Sequence, residues 1–347
     1  MLLDNKHVMV TGGTGSLGKT VVRRLLTGEM GVPRRITIFS RDEGKQHQMR
    51  VDYQNMGEST HEVIYHRSQE VLNFVIGNVR EYESVCRVIQ DVDVIVNASA
   101  LKQVPTCELF PDEAVKTNVL GAQNIVRAIR DTKAPVQQLI GISTDKACKP
   151  INVMGMSKAI MERIFIQANI ECPNTQFNLV RYGNVIASRG SVVPLFQQQI
   201  ANGGPVTITT RDMTRFLLSL DRAVDTVFEA MRTGRRGETY VPFVESARIV
   251  DVATALIDGR DVPVLVTGIR PGEKIHEIMV SEEERYRTIQ RGDYYVIQPM
   301  LQELDPELPD VPLESEYSSQ EVTLDVPAIK QMLASIEAGR PLLRVAA

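Results

Sequence analysis

The stretch HVMVTGGTGSLG at residues 7–18 leaves the chain few ways to fold. An apolar run ends in a turn where Gly12, Gly15 and Gly18 recur at every third position, and helix-forming residues follow at once. Gly12 permits a tight turn, Gly15 lets the backbone approach a pyrophosphate, and Gly18 lets helix and strand pack closely. The helix start then offers unpaired N–H groups and a partial positive charge to an anion. At the first strand of a chain, such a turn predicts a parallel α/β sheet built around a dinucleotide.

The rest of the first half agrees. RRITIFS, LNFVIGNV, VDVIVNAS and VQQLIGIST read as strands up to residue 144, and FNLVRYGNV at 177–185 continues the series. Between them SLGKTVVRRLLTG, ESVCRVIQ, DEAVKTNVLGAQNIVRAIRD and GMSKAIMERIFIQANI carry apolar stripes near the helical period. The polar stretch 44–71 reads as helix plus a surface excursion. The expected fold is α/β and Rossmann-like, a doubly wound parallel sheet with a smaller mixed α/β substrate lobe.

Residues 1–185 would form the nucleotide-binding domain, including the active-site strand and helix. Residues 186–300 would form the smaller lobe, with short strands at PVTIT and ETYVP and helices at 221–233 and 248–258. Residues 301–347 read as linker and helix: DPELPDVPLESEYSSQ is rich in Pro, Glu and Ser, and VPAIKQMLASIEAG follows. This tail is either a solvated terminus or an arm that packs on another subunit.

Composition removes several function classes. A net charge of −4 argues against nucleic acid as the main partner. No apolar run approaches the roughly 20 residues that span a bilayer, and the N-terminus shows no signal-peptide pattern. The four cysteines (86, 107, 148, 172) form no CxxC pair and the five histidines have no ligand spacing. No metal site is expected, and a reducing cytoplasm is the expected setting.

The end of the second strand bears on cofactor choice. A carboxylate there binds a ribose 2′-hydroxyl, whereas an arginine accommodates a 2′-phosphate. The chain reads FSRDE, so Ser40 and Arg41 precede Asp42, and both can donate to phosphate. NADP is favoured over NAD.

Residues 143–158, STDKACKPINVMGMSK, raise the question of chemistry. STDKA and Lys158 look like the two ends of a short-chain dehydrogenase active site, but Met154 stands four residues before the lysine, where such enzymes carry tyrosine. A thioether has no proton and is a poor base. Beside Thr144, however, stand an acid and an amine, Asp145 and Lys146. Lysine must be neutral to act as a base, which requires burial or nearby positive charge.

The chain resembles the extended short-chain dehydrogenase/reductases and, more narrowly, the UDP-N-acetylglucosamine 4,6-dehydratases of bacterial capsule and surface-glycan synthesis, C5-inverting type. The resemblance runs to about residue 295. It rests on TGGTGSLG, IFSRDE at 38–43, ALKQVPTCELFPDEAVKTN at 100–118, STDKACKPINVMGMSKA at 143–159, RYGNVIASRGSVVPLF at 181–196, DMTRFLLSL at 212–220 and GIRPGEKIHE at 268–277.

It implies oxidation at sugar C4, loss of water across C5 and C6, and hydride return to C6. Catalytic positions are then Thr144 near C4, Asp145 as acid at the C6 oxygen, Lys146 as base at C5, Met154 in the tyrosine position and Lys158 on the nicotinamide ribose. Some members of that family also carry methionine there. Cofactor contacts are implied for Gly12, Thr14, Gly15, Ser16, Leu17 and Gly18, for Ser40 and Arg41, and for Asn78 and Val79. Ala98, Ala100, Lys102, Asn118 and Lys158 complete that set.

On the UDP-sugar side, Asn184, Arg215 and Arg270 are candidates for the pyrophosphate and Glu273 for the uridine ribose. Ser191 and Val192 are expected along the nucleotide, Lys102 near cofactor and sugar, and Arg181 and Arg189 are weaker candidates. A homo-oligomer, dimer or hexamer, is implied. A UDP-sugar 4-epimerase and a non-catalytic NADP-binding sensor or scaffold remain as alternatives.

Overall fold

The computed structural model describes residues 1–55, 62–186, 191–321 and 323–337. The chain first lays down six parallel strands: β1 (His7–Thr11), β2 (Arg35–Ser40), β3 (Leu72–Ile76), β4 (Val94–Asn97), β5 (Gln138–Ile142) and β6 (Gln176–Val180). It leaves this sheet for β7 (Asn184–Val185), β8 (Val206–Ile208) and β9 (Thr214–Leu218), then returns in β10 (Thr239–Pro242), which pairs parallel to β6. After β11 (Ser246–Arg248), β12 (Val264–Val266) and β13 (Ile278–Val280), the hairpin of β14 (Thr288–Arg291) and β15 (Tyr294–Ile297) closes the edge antiparallel. The nine-stranded order is β3-β2-β1-β4-β5-β6-β10-β15-β14. Because β2 and β4 flank β1 on opposite sides, the strand order reverses there, and a crevice opens at the carboxyl ends of β1 and β4.

Alternation along the strands divides the core between the two sheet faces. Val8, Val10, Ile36, Ile38, Val94 and Val96 pack with Val21 and Leu25 of α1 (Ser16–Thr27) and with Phe228. Met9, Phe39, Ile95 and Leu139 point the other way, against Val85, Ile125 and Phe165. Burying each such side chain contributes about 1.5–3 kcal/mol. The helices that follow α1 are α2 (Glu43–Gln54), α3 (Glu62–Val71), α4 (Tyr82–Val88), α5 (Val104–Leu109) and α6 (Pro111–Ala114). A π-helical stretch, Val115–Leu120, leads into α7 (Gly121–Thr132), and α8 (Val153–Glu171) comes next. Part of the 44–71 excursion, residues 56–61, lies outside the described residues.

The smaller lobe has its own apolar core. α9 (Val192–Ala201) contributes Phe196 and Ile200, and α11 (Ile249–Ile257) contributes Val252 and Ala253. α10 (Leu220–Thr233) instead covers the main sheet. Two differences from the sequence reading follow. The sheet takes β10, β14 and β15 from residues 239–297, so that stretch is shared between sheet and lobe rather than belonging to the lobe alone. The tail is not a free arm over its described part: in α12 (Val326–Glu337), Ile329 and Met332 are buried against the lobe's core, because the apolar stripe of α12 covers α11 of the same chain. β16 (Tyr317–Ser318) pairs with β13 and ties the linker down. Residues 338–347 lie outside the described residues. Among the described residues no helix is long and apolar enough to cross a membrane.

Candidate active site

The glycine-rich turn forms a cradle at the sheet's reversal point. Gly12 has φ 64°, and a Cβ there would stand 2.8 Å from the Ala98 carbonyl oxygen, so the turn needs glycine on two counts. Gly15 is the N-cap of α1, with no side-chain cap and no acidic residue in the first turn. The N-terminus of α1, lined by Ser16 and Leu17, is thus open to an anion, as a dinucleotide pyrophosphate requires. Thr14 is buried, its hydroxyl 3.4 Å from Ser40 Oγ.

At the end of β2 the three polar residues separate by role. Ser40 Oγ and its carbonyl accept from the Gln46 amide, and Arg41 is exposed. Asp42 caps α2 by accepting from Lys45 N–H at 2.9 Å and pairs with the Lys45 ammonium 2.5 Å away. Both contacts, the hydrogen bond to Lys45 first, hold its pKa below the usual carboxylate value. The carboxylate at the end of β2 is thus engaged with the first turn of the helix that follows it.

Asn78 accepts from Arg80 N–H, and the Val79 side chain is buried. Ala98 forms the floor under Gly12, and Ala100 lies exposed two residues on. Asn118 is committed to the scaffold. Its amide binds both the N–H and the carbonyl of Leu101 and donates to Ser157 Oγ, fixing the segment that carries Lys102 against α8.

The acid–base corner begins where β5 ends. Thr144 caps a short 3₁₀ turn over Asp145–Ala147. α8 starts against this turn: a Cβ on Gly155 would lie 2.2 Å from the Lys146 carbonyl oxygen, so only glycine allows the approach. Asp145 is 0% exposed and accepts from the Thr144 hydroxyl at 2.7 Å. The Lys146 ammonium donates to Asp145 Oδ1 and to Asn184 Oδ1, each at 3.1 Å, and lies 3.3 Å from Glu277 Oε1. Arg215 Nε stands 3.8 Å from the same Glu277 oxygen.

Burial alone would lower the pKa of Lys146, but Asp145 and Glu277 outweigh it, and the net direction is upward. The lowered pKa that a lysine base requires is therefore not met with the two carboxylates in contact. Lys158 is pushed down, to about 8, by burial that Glu162 only partly offsets, and burial lowers Lys102 as well. Met154 is 4% exposed and packs with Cys107 and Ala114, so its thioether fills a small apolar cluster.

Other expected site residues gather around this corner. Asn184 and Arg215 meet Lys146 and Glu277, and Arg215 also donates to the Thr214 and Ile275 carbonyls. Arg181 is buried in a separate network with Glu162 and Glu284. Glu273 accepts from Thr209, while Arg270 is exposed. Ser191 caps α9, whose first turn has no acidic residue, and its buried Oγ has no hydrogen-bond partner among the described residues. That end, with Val192 as its first residue, fits a nucleotide's anion. Arg189 lies outside the described residues.

The loop between β12 and β13 is tied across the corner: Asn152 Nδ2 donates to the Gly272 carbonyl and Lys274 to the Cys148 carbonyl. Glu277 is the site residue that sequence reasoning passed over, although it ends the block GIRPGEKIHE. Among the described residues no group of side chains is arranged to hold a metal ion.

Comparison with known proteins finds the same fold. The UDP-glucose 4-epimerase of Rickettsia canadensis (strain McKiel) is 44% identical over 302 residues, 86% of this chain and 84% of that protein. An X-ray structure of Pen from Bacillus thuringiensis matches with TM-score 0.86 and 27% identity, covering 97% of this chain and 99% of the other. DesIV, a dTDP-glucose 4,6-dehydratase from Streptomyces venezuelae with NAD and TYD bound, shares the fold at TM-score 0.65 and 20% identity, over 78% of this chain and 86% of that one. A family model described as polysaccharide biosynthesis protein matches residues 8–299. With that span covered, the chain belongs to the polysaccharide biosynthesis protein family.

Proposed function

We propose that this chain is a UDP-N-acetylglucosamine 4,6-dehydratase of the C5-inverting kind, a lyase that uses NADP in preference to NAD and serves bacterial surface-glycan synthesis. The observation that carries the reading is the contact of Asp145 and Lys146 at the carboxyl end of β5, with Met154 buried away in an apolar cluster. Epimerisation at C4 needs one acid–base group on the carbinol oxygen. Elimination needs further groups that exchange protons at C5 and at the departing C6 oxygen.

The cradle at Gly12 and the open start of α1 fit a dinucleotide, and the bound cofactor would supply a hydride acceptor toward C4 and a donor toward C6. The chain's own residues do the rest. Thr144 presents its hydroxyl to C4 and is already hydrogen-bonded to Asp145. Once Lys146 has passed its proton to Asp145 across their contact, Asp145 protonates the C6 oxygen and Lys146 takes the C5 proton. Lys158 binds the ribose hydroxyls beside the nicotinamide, and the start of α9 faces the pyrophosphate.

A UDP-sugar 4-epimerase is the second reading, favoured by the name of the relative that is 44% identical. Incubation with UDP-N-acetylglucosamine and UDP-glucose, read by product mass, separates the two. Loss of one water supports the dehydratase; an isomer of unchanged mass from either sugar replaces it with the epimerase. Bound cofactor with both sugars untouched points to a sensor. Proton NMR couplings of a dehydrated product test inversion at C5, and a retained D-configuration removes that part alone.

A further inference from the structure

Lys146 has three N–H bonds to give as an ammonium, and three acceptors stand around it: Asp145 Oδ1, Asn184 Oδ1 and Glu277 Oε1. Its side chain keeps 19% of its surface exposed, whereas Asp145 and Glu277 behind it are 0% and 2% exposed. Each carboxylate spends one oxygen on Lys146. The other oxygens, Asp145 Oδ2 and Glu277 Oε2, are sealed from solvent and have no hydrogen-bond partner among the described residues. A buried acceptor without a donor is costly, so such an oxygen marks a place where a donor belongs. Among the described residues Arg215, from β9, is the other charged group that acts on Lys146, and its Nε stands 3.8 Å from the same Glu277 oxygen.

We propose that Glu277 is a positioning residue that holds Lys146 as a caged ammonium until a sugar hydroxyl takes the lysine's place on the Glu277 carboxylate, whereupon Lys146 passes its proton to Asp145 across their 3.1 Å contact and the neutral amine is free to act. The proposal rests on the reading of Lys146 as the base of the elimination and adds what switches that base on. The donor chemistry required is a neutral hydroxyl. A nucleoside diphosphate without its sugar has none to offer at this depth and leaves the cage intact. An ammonium loses its proton more easily once an opposite charge within about 4 Å is removed, by roughly one pH unit or more. The switch therefore has a direct spectroscopic signature.

The test is carried out on the full chain with 13Cε-labelled lysine, the Lys146 signal being assigned by its loss in Lys146→Arg. In the wild type without nucleotide, Lys146 titrates above the ordinary lysine range. Glu277→Gln keeps an acceptor of the same shape and moves the midpoint down by about one unit or more; Glu277→Asp, which keeps the charge, stays near the wild type. Adding UDP-N-acetylglucosamine to the wild type lowers the midpoint as well, and adding UDP does not.

Coincident titrations of wild type and Glu277→Gln overturn the proposal, as does an equal response to UDP and the sugar nucleotide. The wild-type arm stands alone should the glutamine variant fail to fold. In turnover, the rising limb of kcat/KM against pH, which reports the free enzyme, shifts to lower pH in Glu277→Gln; a uniform loss at every pH means a structural role only. Failure of the dehydratase reading appears separately, as absence of a product lighter by one water.

Discussion

The cofactor cradle and the acid–base corner sit at carboxyl ends of the same sheet but are built in opposite ways. The cradle is one contiguous turn, Gly12 to Gly18, whose shape comes from backbone conformation and from close packing on the neighbouring strand ends at Phe39 and Ala98. The corner draws Thr144, Asp145 and Lys146 from the end of β5, Asn184 from β7, Arg215 from β9 and Glu277 from the loop before β13. A contiguous device has its function written in its spacing. A dispersed one has its parts in the sequence and its electrical state only in the fold.

Substitutions can break that contrast. The largest effect belongs to the corner: Lys146→Ala should lower kcat by about 10²–10⁴-fold while leaving the cofactor dissociation constant unchanged. Residual dehydration near the wild-type rate would remove Lys146 as base. Next comes the support beneath the corner, where Arg181 binds both Glu162 and Glu284. Arg181→Ala removes the main counter-charge of both carboxylates, leaving Glu284 only the more distant Arg287, and should cost about 3–5 kcal/mol in urea unfolding.

Acid probes the same network. Burial alone would raise the pKa of Glu284, but Arg181 brings it down to about 2. Glu284 therefore binds its proton more weakly folded than unfolded. The stability it contributes is complete above about pH 4.5 and is lost as pH falls from there toward 2. Unfolding curves at pH 6 and pH 3 should show this loss in the wild type and less of it in Arg181→Ala.

The cradle should respond in the reverse sense. Gly12→Ala places a side chain at positive φ against the Ala98 carbonyl and should cost about 1–3 kcal/mol, with cofactor binding weakened in titration. Arg41→Ala should weaken NADP by roughly tenfold and leave NAD untouched, the scale of one charge-assisted hydrogen bond. Equal loss for both cofactors would detach Arg41 from the 2′-phosphate. The smallest effect is expected at Met154→Leu: less than about 1.5 kcal/mol in stability and kcat nearly unchanged. A fall comparable to that of Lys146→Ala would bring the thioether into the chemistry.

The sequence made the first six strands legible because each is a short apolar run bounded by turn residues, with amphipathic helices between. It left β14 and β15 unplaced, although Gly292 and Asp293 form a two-residue turn between alternating segments, a hairpin signal. Asp145 and Lys146 were legible as an adjacent acid and amine. The charge on Lys146 was not, since Glu277 lies far along the chain and only folding brings it to 3.3 Å. Nor could spacing show that Asn118 anchors Leu101 or that Asn184 turns to Lys146. The helix at 326–337 was seen, but its partner α11 depends on which stripe the lobe leaves uncovered.

The two ties from the loop before β13, Asn152 to Gly272 and Lys274 to Cys148, fasten it to the segment that directly follows Thr144, Asp145 and Lys146. Glu277 stands at the end of that loop. Any movement of that loop thus carries one of the lysine's restraints with it, so that the position of the segment and the charge on the amine are mechanically linked.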